Sequence, residues 1–207
     1  MSKYYCLVAG LPDISLEDGK LTYTLTNFKS DIYPELSVSD RKLVDLFFLK
    51  YDNLNLLKLL KDKEAVIDSR GNYSAEELTA FIASVKEGEI PDDNLCPPYI
   101  YQFLSDYLQK VSTDEFFIPE DSLANYYYAY AMNCNNVFVS SWFEFNLNVN
   151  NVLTALTACK YKFEVATNIV GQTDIISVSA IVPTEVHVWQ EKTVGEVSGR
   201  FLEHGDS

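Results

Sequence analysis

Between Asp40 and about Lys63 apolar residues recur at helical spacing and then continue around the helix. Leu43, Leu46, Phe47, Leu54, Leu57 and Leu60 share one stripe, and Val44, Phe48, Tyr51, Leu56 and Leu59 widen it around most of the circumference. A helix that is apolar on nearly every side must be sandwiched between neighbours, so this segment alone commits the chain to packed helices. Ser39 or Asp40 is the expected N-cap.

Three further stretches extend the pattern. Ser74-Ala75-Glu76-Glu77 spells a capping box ahead of a narrow stripe of Leu78, Phe81, Ile82 and Val85, which predicts a surface helix. Pro97-Pro98 can open a helix where no backbone donor is needed, and Tyr99, Ile100, Phe103, Leu104, Tyr107, Leu108 and Val111 follow with spacings of three and four. After Pro119 a long pattern runs from Leu123 through Tyr127, Tyr130, Val137, Trp142, Phe145, Val149, Val152 and Leu156 to Phe163. As one rod it would measure roughly 60 Å, but Asn146, Asn148, Asn150 and Asn151 are weak helix formers, and a bend or break is expected there. The segment Tyr4 to Leu11, stopped by Pro12, reads equally as a short helix or a strand.

The expected fold class is therefore all-α, a multi-helix bundle of packed antiparallel amphipathic helices. Its C-terminal segment, 172–207, is expected to be irregular or loosely ordered, because Ile175 to Val188 is β-branched and loses the helical period. The alternative is α+β, with a hairpin from about Ile175 to Trp189. The tail after about Ile175 is read as a divergent, truncated or frame-shifted end. Leu46-Phe47 before Asn55-Leu56-Leu57 and Leu60 is echoed ninety-six positions later by Trp142-Phe143 before Asn151-Val152-Leu153 and Leu156. The echo is read either as a duplication, dividing a helical domain 1–171 into modules of about 1–90 and 91–171, or as the coincidence of two amphipathic helices.

Charge and residue usage narrow the function. A net charge of -14 repels polyanions, which disfavours nucleic acid and anionic lipid and favours a basic protein face. The N-terminal apolar run is too brief for a signal peptide core, and no stretch reaches the eighteen or so apolar residues of a membrane span, so a cytoplasmic protein without direct membrane insertion is expected. Cys6, Cys96, Cys134 and Cys159 form no C-x-x-C pair and are expected to be buried small hydrophobes.

Catalytic, cofactor-binding and metal-binding residues are all expected to be none. The two histidines, His187 and His204, form no H-E-x-x-H pattern, Gly19-Lys20 does not belong to a phosphate-binding loop, and there is no calcium-loop pattern. No small-molecule ligand is indicated, and the chain is not expected to be an enzyme. In the run Tyr126-Tyr127-Tyr128 with Tyr130, some rings must pack inward and at least one faces outward or a partner. Asn72-Tyr73-Ser74 matches the glycosylation triplet but coincides with a helix cap. Which surface binds partners is not written in the sequence.

Three stretches carry a family resemblance: Tyr4-Tyr5-Cys6-Leu7-Val8-Ala9-Gly10-Leu11-Pro12-Asp13-Ile14, the run Asp45 to Leu60, and Asn151-Val152-Leu153-Thr154-Ala155-Leu156. The chain resembles an uncharacterised bacterial family associated with V-type (A/V-type) ATP synthases, distantly similar to the C-type stalk subunit of those enzymes. In that stalk subunit an Asn-Leu-x-x-Leu-Leu-like helix followed by a basic residue recurs in related modules, and Asn55 to Lys61 and Asn151 to Lys160 are similar to it. The resemblance covers roughly Tyr4 to Gly171. Pro12 interrupts what is a long N-terminal helix in the ordinary stalk subunit, and Thr157-Ala158-Cys159 replaces a more basic helix end.

What the resemblance implies is a non-catalytic subunit or accessory factor of a proton- or sodium-transporting ATPase. It would be a helical connector between the membrane rotor ring and the central stalk, peripheral at the inner face of the cell membrane, with rotor-ring and central-stalk subunits as partners. The alternative is a free-standing cytoplasmic helical scaffold or adaptor.

Overall fold

In the computed structural model, which describes residues 4–13, 23–89, 95–161 and 169–171, these residues form helices and no strand. The expected all-α class holds. The chain divides into two compact units, Met1–Ser84 and Val85–Ser207. The tail 172–207, the alternative hairpin, His187 and His204 lie outside the described residues.

The first unit starts with helix α1 (Tyr5–Ala9), which resolves the N-terminal ambiguity in favour of helix, and continues with α2 (Leu25–Ile32) and a 3-10 turn at Tyr33–Glu35. The long helix α3 (Val38–Lys61) follows. Its cap is Ser37, two residues before the first expected one, and the Ser37 side chain accepts from the Asp40 amide at 3.2 Å. Asp40 then sits in the first turn, where its carboxylate takes hydrogen bonds from the hydroxyls of Ser37 and Tyr4, each at 2.6 Å. The cap lies at Ser37 because its hydroxyl takes the Asp40 amide while its own amide donates to the Tyr4 hydroxyl at 3.0 Å, a partner thirty-three residues earlier that no local pattern reveals.

Helix α4 (Ala75–Lys86) begins at the expected capping box. The Ser74 amide donates to Glu77 Oε2 at 2.8 Å, and the Glu77 amide donates to Ser74 Oγ at 3.2 Å. Leu78, Phe81 and Ile82 are buried, as the narrow stripe requires. With Ile32, Leu46, Phe48, Leu49, Leu56, Leu57 and Leu59 they form the apolar core of this unit, each side chain contributing roughly 1.5–3 kcal/mol on full burial.

In the second unit α5 (Pro98–Thr113) has proline at its first position and ends where Asp114 turns left-handed at φ 54°, a conformation that a short polar side chain tolerates. It packs against α6 (Pro119–Met132), which packs in turn against α7 (Val137–Tyr161). Tyr99, Ile100, Phe103 and Leu104 meet Leu123, Tyr127, Ala131, Phe143 and Leu147 in a core rich in aromatic rings; the Tyr127 and Phe143 centroids stand 5.6 Å apart, edge to face. Of the tyrosine run, Tyr127 is buried and Tyr130 is exposed.

Two expectations need correction here. The long C-terminal pattern breaks at 133–136, not at 146–151. Asn136 caps the new helix by accepting from the Val139 amide at 3.0 Å, whereas the later asparagines stay inside α7, where the side chains of Asn150 and Asn151 are taken up by Tyr128 and Val170. The cysteines also divide: Cys96 is buried, Cys134 is intermediate, and Cys6 is exposed because α1 has no buried residue. The side chain of Cys159 lies outside the description. No helix among the described residues is long and apolar enough to cross a membrane.

Candidate functional site

One face of α3 is polar where an apolar helix should not be. Asp45, Phe48, Asp52 and Asn55 are spaced by three, four and three, so their side chains line one side of the helix. Asp52 and Asn55 are fully buried. They remain so because the loop between α3 and α4 brings its backbone to them.

Asn55 clasps that loop with both ends of its carboxamide. Its Nδ2 donates to the Asp68 carbonyl at 2.9 Å, and its Oδ1 accepts from the Asp68 amide at 2.7 Å. One turn earlier, Asp52 accepts from the Asn72 amide at 2.8 and 2.9 Å and from the Tyr73 amide at 3.1 Å. A Cβ on Gly71 would collide with the Asp52 carboxylate, so only glycine lets the loop come this close.

From α2, Lys29 closes the arrangement. Its Nζ donates to the Arg70 and Gly71 carbonyls at 3.2 and 2.8 Å and to Asn72 Oδ1 at 3.4 Å, and lies 4.3 Å from the centre of the Phe48 ring. Asn72 Nδ2 donates to the Asp45 backbone carbonyl at 3.0 Å, and the Tyr33 hydroxyl donates to the Asp45 carboxylate at 2.8 Å. The asparagine of the glycosylation triplet is thus used internally.

Burial sets the ionisation of this centre. It pushes the Asp52 carboxyl up to about 6, although the Asn72 and Tyr73 amides and the Lys29 ammonium pull it down; Asp45 adds a smaller upward push. Burial also raises Asp45 and lowers Lys29. The Tyr33 phenol is driven well above its ordinary range by burial and its bond to Asp45, so it is not poised to lose a proton.

The second unit contains the same clasp. Asn151, buried on α7, donates from Nδ2 to the Val170 carbonyl at 2.8 Å and accepts the Val170 amide on Oδ1 at 3.1 Å. Here too a glycine follows, Gly171 at φ 78°, with the space for a Cβ taken by Leu147. The neighbouring Asn150 donates to the Tyr128 hydroxyl at 2.8 Å, which ties α7 to α6.

These contacts hold loops to helices. Among the described residues no group of three or more His, Cys, Asp or Glu is placed to hold a metal ion, and no buried side-chain nitrogen or oxygen is left without a partner. The sequence marked Asn55 and Asn151 as corresponding members of an echoed helical pattern, and Asn151 also as a weak point of its helix, but it gave neither a partner, and it missed Lys29 and Asp52 as site residues. The available signal was Asp52-Asn53 and Asn55 inside an otherwise apolar helix, because buried polar groups in such a place need partners from elsewhere in the chain.

No curated protein and no solved structure matches the chain. A family does, over residues 1–181, which carries the likeness past Gly171 into the tail. The chain belongs to the family described as protein of unknown function, DUF2764.

Proposed function

We propose that the chain is a non-catalytic subunit or accessory factor of a V-type ATPase or ATP synthase, a helical connector between the membrane rotor ring and the central stalk like the C-type stalk subunit. The observation that carries this reading is the matched pair of asparagine clasps. Asn55 and Asn151 stand at the same place in Asn55-Leu56-Leu57 and Asn151-Val152-Leu153, the two segments that resemble the recurring helix of that stalk subunit, and each pins a downstream loop through the same two hydrogen bonds. That shared chemistry supports a duplicated helical module as the basis of the fold.

In this reading the chain works through protein contacts, and the chemistry of ion transport belongs to other subunits. It is held at the inner face of the membrane by the complex. Buried clasps suit a connector, because a loop fixed by several hydrogen bonds keeps its shape under load. The experiment is affinity purification of the tagged protein from native membranes: ATPase subunits are expected in the eluate, and repeated recovery without them overturns the reading. The second reading, a free-standing helical scaffold, is favoured by the exposed apolar side of α7, which needs no ATPase to be useful.

A further inference from the structure

Helix α7 is apolar on two opposite sides. Val139, Phe143, Leu147 and Ala158 lie buried on the side that meets α6. On the other side Phe138, Trp142, Phe145, Val149, Val152 and Leu156 are exposed, the first three by 73%, 46% and 61%. Their spacing is four, three, four, three, four, the seam of a coiled coil, sustained over roughly 27 Å of helix. A helix apolar all round is normally covered all round.

We propose that this seam is the interface of a homodimer, occupied by α7 of a second copy of the chain. Charge is the first argument. The chain carries a net charge of -14, and two copies repel each other over most of their surface, yet Glu144 and Lys160 are the only charged residues in α7. The positions beside the seam are Ser141, Asn148 and Ala155 on one edge and Asn146 and Leu153 on the other, so two identical faces meet without like charges opposed. Area is the second. Two exposed phenylalanines, a tryptophan and three aliphatic side chains present on the order of 600 Å² per copy, close to the ~800 Å² per partner of a standard interface. Geometry is the third: a seam of regular spacing packs knobs into holes on its own two-fold image, which a homodimer requires.

The inference does not depend on the ATPase reading. It is tested on the full-length chain by sedimentation equilibrium from about 1 to 100 μM, with circular dichroism as the folding control. A concentration-dependent dimer is expected, weakened more than about thirtyfold by Trp142→Glu or by Phe145→Glu at unchanged helicity. Phe116→Glu, at an exposed apolar residue off the seam, should leave it intact. Because a glutamate variant can fail to fold, Phe145→Glu and Phe145→Lys are also mixed: recovery of a dimer that neither forms alone supports the proposal.

A monomer throughout the range overturns it, as does a dimer indifferent to both seam substitutions. A monomer that floats with phosphatidylcholine vesicles only when Trp142 is intact would assign the seam to lipid and overturn it as well.

Discussion

The carboxamide of Asn55 holds both backbone groups of Asp68, donating to the carbonyl at 2.9 Å and accepting the amide at 2.7 Å. Asn55→Ala removes both bonds and leaves the two Asp68 groups to find water in a half-buried place. The expected loss is about 2 kcal/mol in urea unfolding, with hydrogen-exchange protection lost at the Asp68 amide. Asn151→Ala should do the same to the Val170 amide. Unchanged protection at both amides would show the clasps to be incidental.

The buried Asp52 makes stability depend on pH in an unusual direction. Its carboxyl titrates at about 6 in the folded chain against an ordinary 3.8, so between those values the folded state holds a proton that the unfolded state has released. Stability contributed by the protonated form is complete below about 4 and lost as pH rises through 6, on the order of 3 kcal/mol. Asp52→Asn should flatten that part of the curve of unfolding free energy against pH. Lys29→Met, which removes the nearby cation, should move the Asp52 titration higher still, and NMR of the carboxyl carbon would read the shift.

Gly71→Ala places a methyl group against the Asp52 carboxylate, and either the loop or α3 must yield. A loss of about 2 kcal/mol or more is expected. In an Asp52→Ala background the collision disappears, so the double-mutant cycle should show coupling above about 1 kcal/mol. Additive effects would mean that the close approach carries no cost.

The capping box at Ser74 should be a local matter. Ser74→Ala removes the acceptor for the Glu77 amide and should cost about 1 kcal/mol, read as a lower melting temperature with the unit otherwise intact.

Much of the fold was legible in advance because helix periodicity and capping are local. The stripe Leu78, Phe81, Ile82 follows from 3.6 residues per turn, the capping box from four consecutive residues, and the proline start of α5 from the missing amide of Pro98. The break at 133–136 was misplaced by the same logic. Propensity sees an asparagine in a helix as a weakness, and has no access to a loop nineteen residues further along the chain that turns Asn151 into an anchor.

The sequence by itself determined that the chain would be helical and acidic, and it singled out Asn55 and Asn151 as corresponding members of an echoed pattern. Only the tertiary structure decided what they do. Hydrogen bonds between residues thirteen to forty-three positions apart give the purpose of Asn55, Asp52, Lys29 and Gly71, because a buried polar group is tolerated only when folding delivers its partner. It also decided which side of α7 is covered by α6 and which is left open. Periodicity counts apolar faces; packing chooses among them.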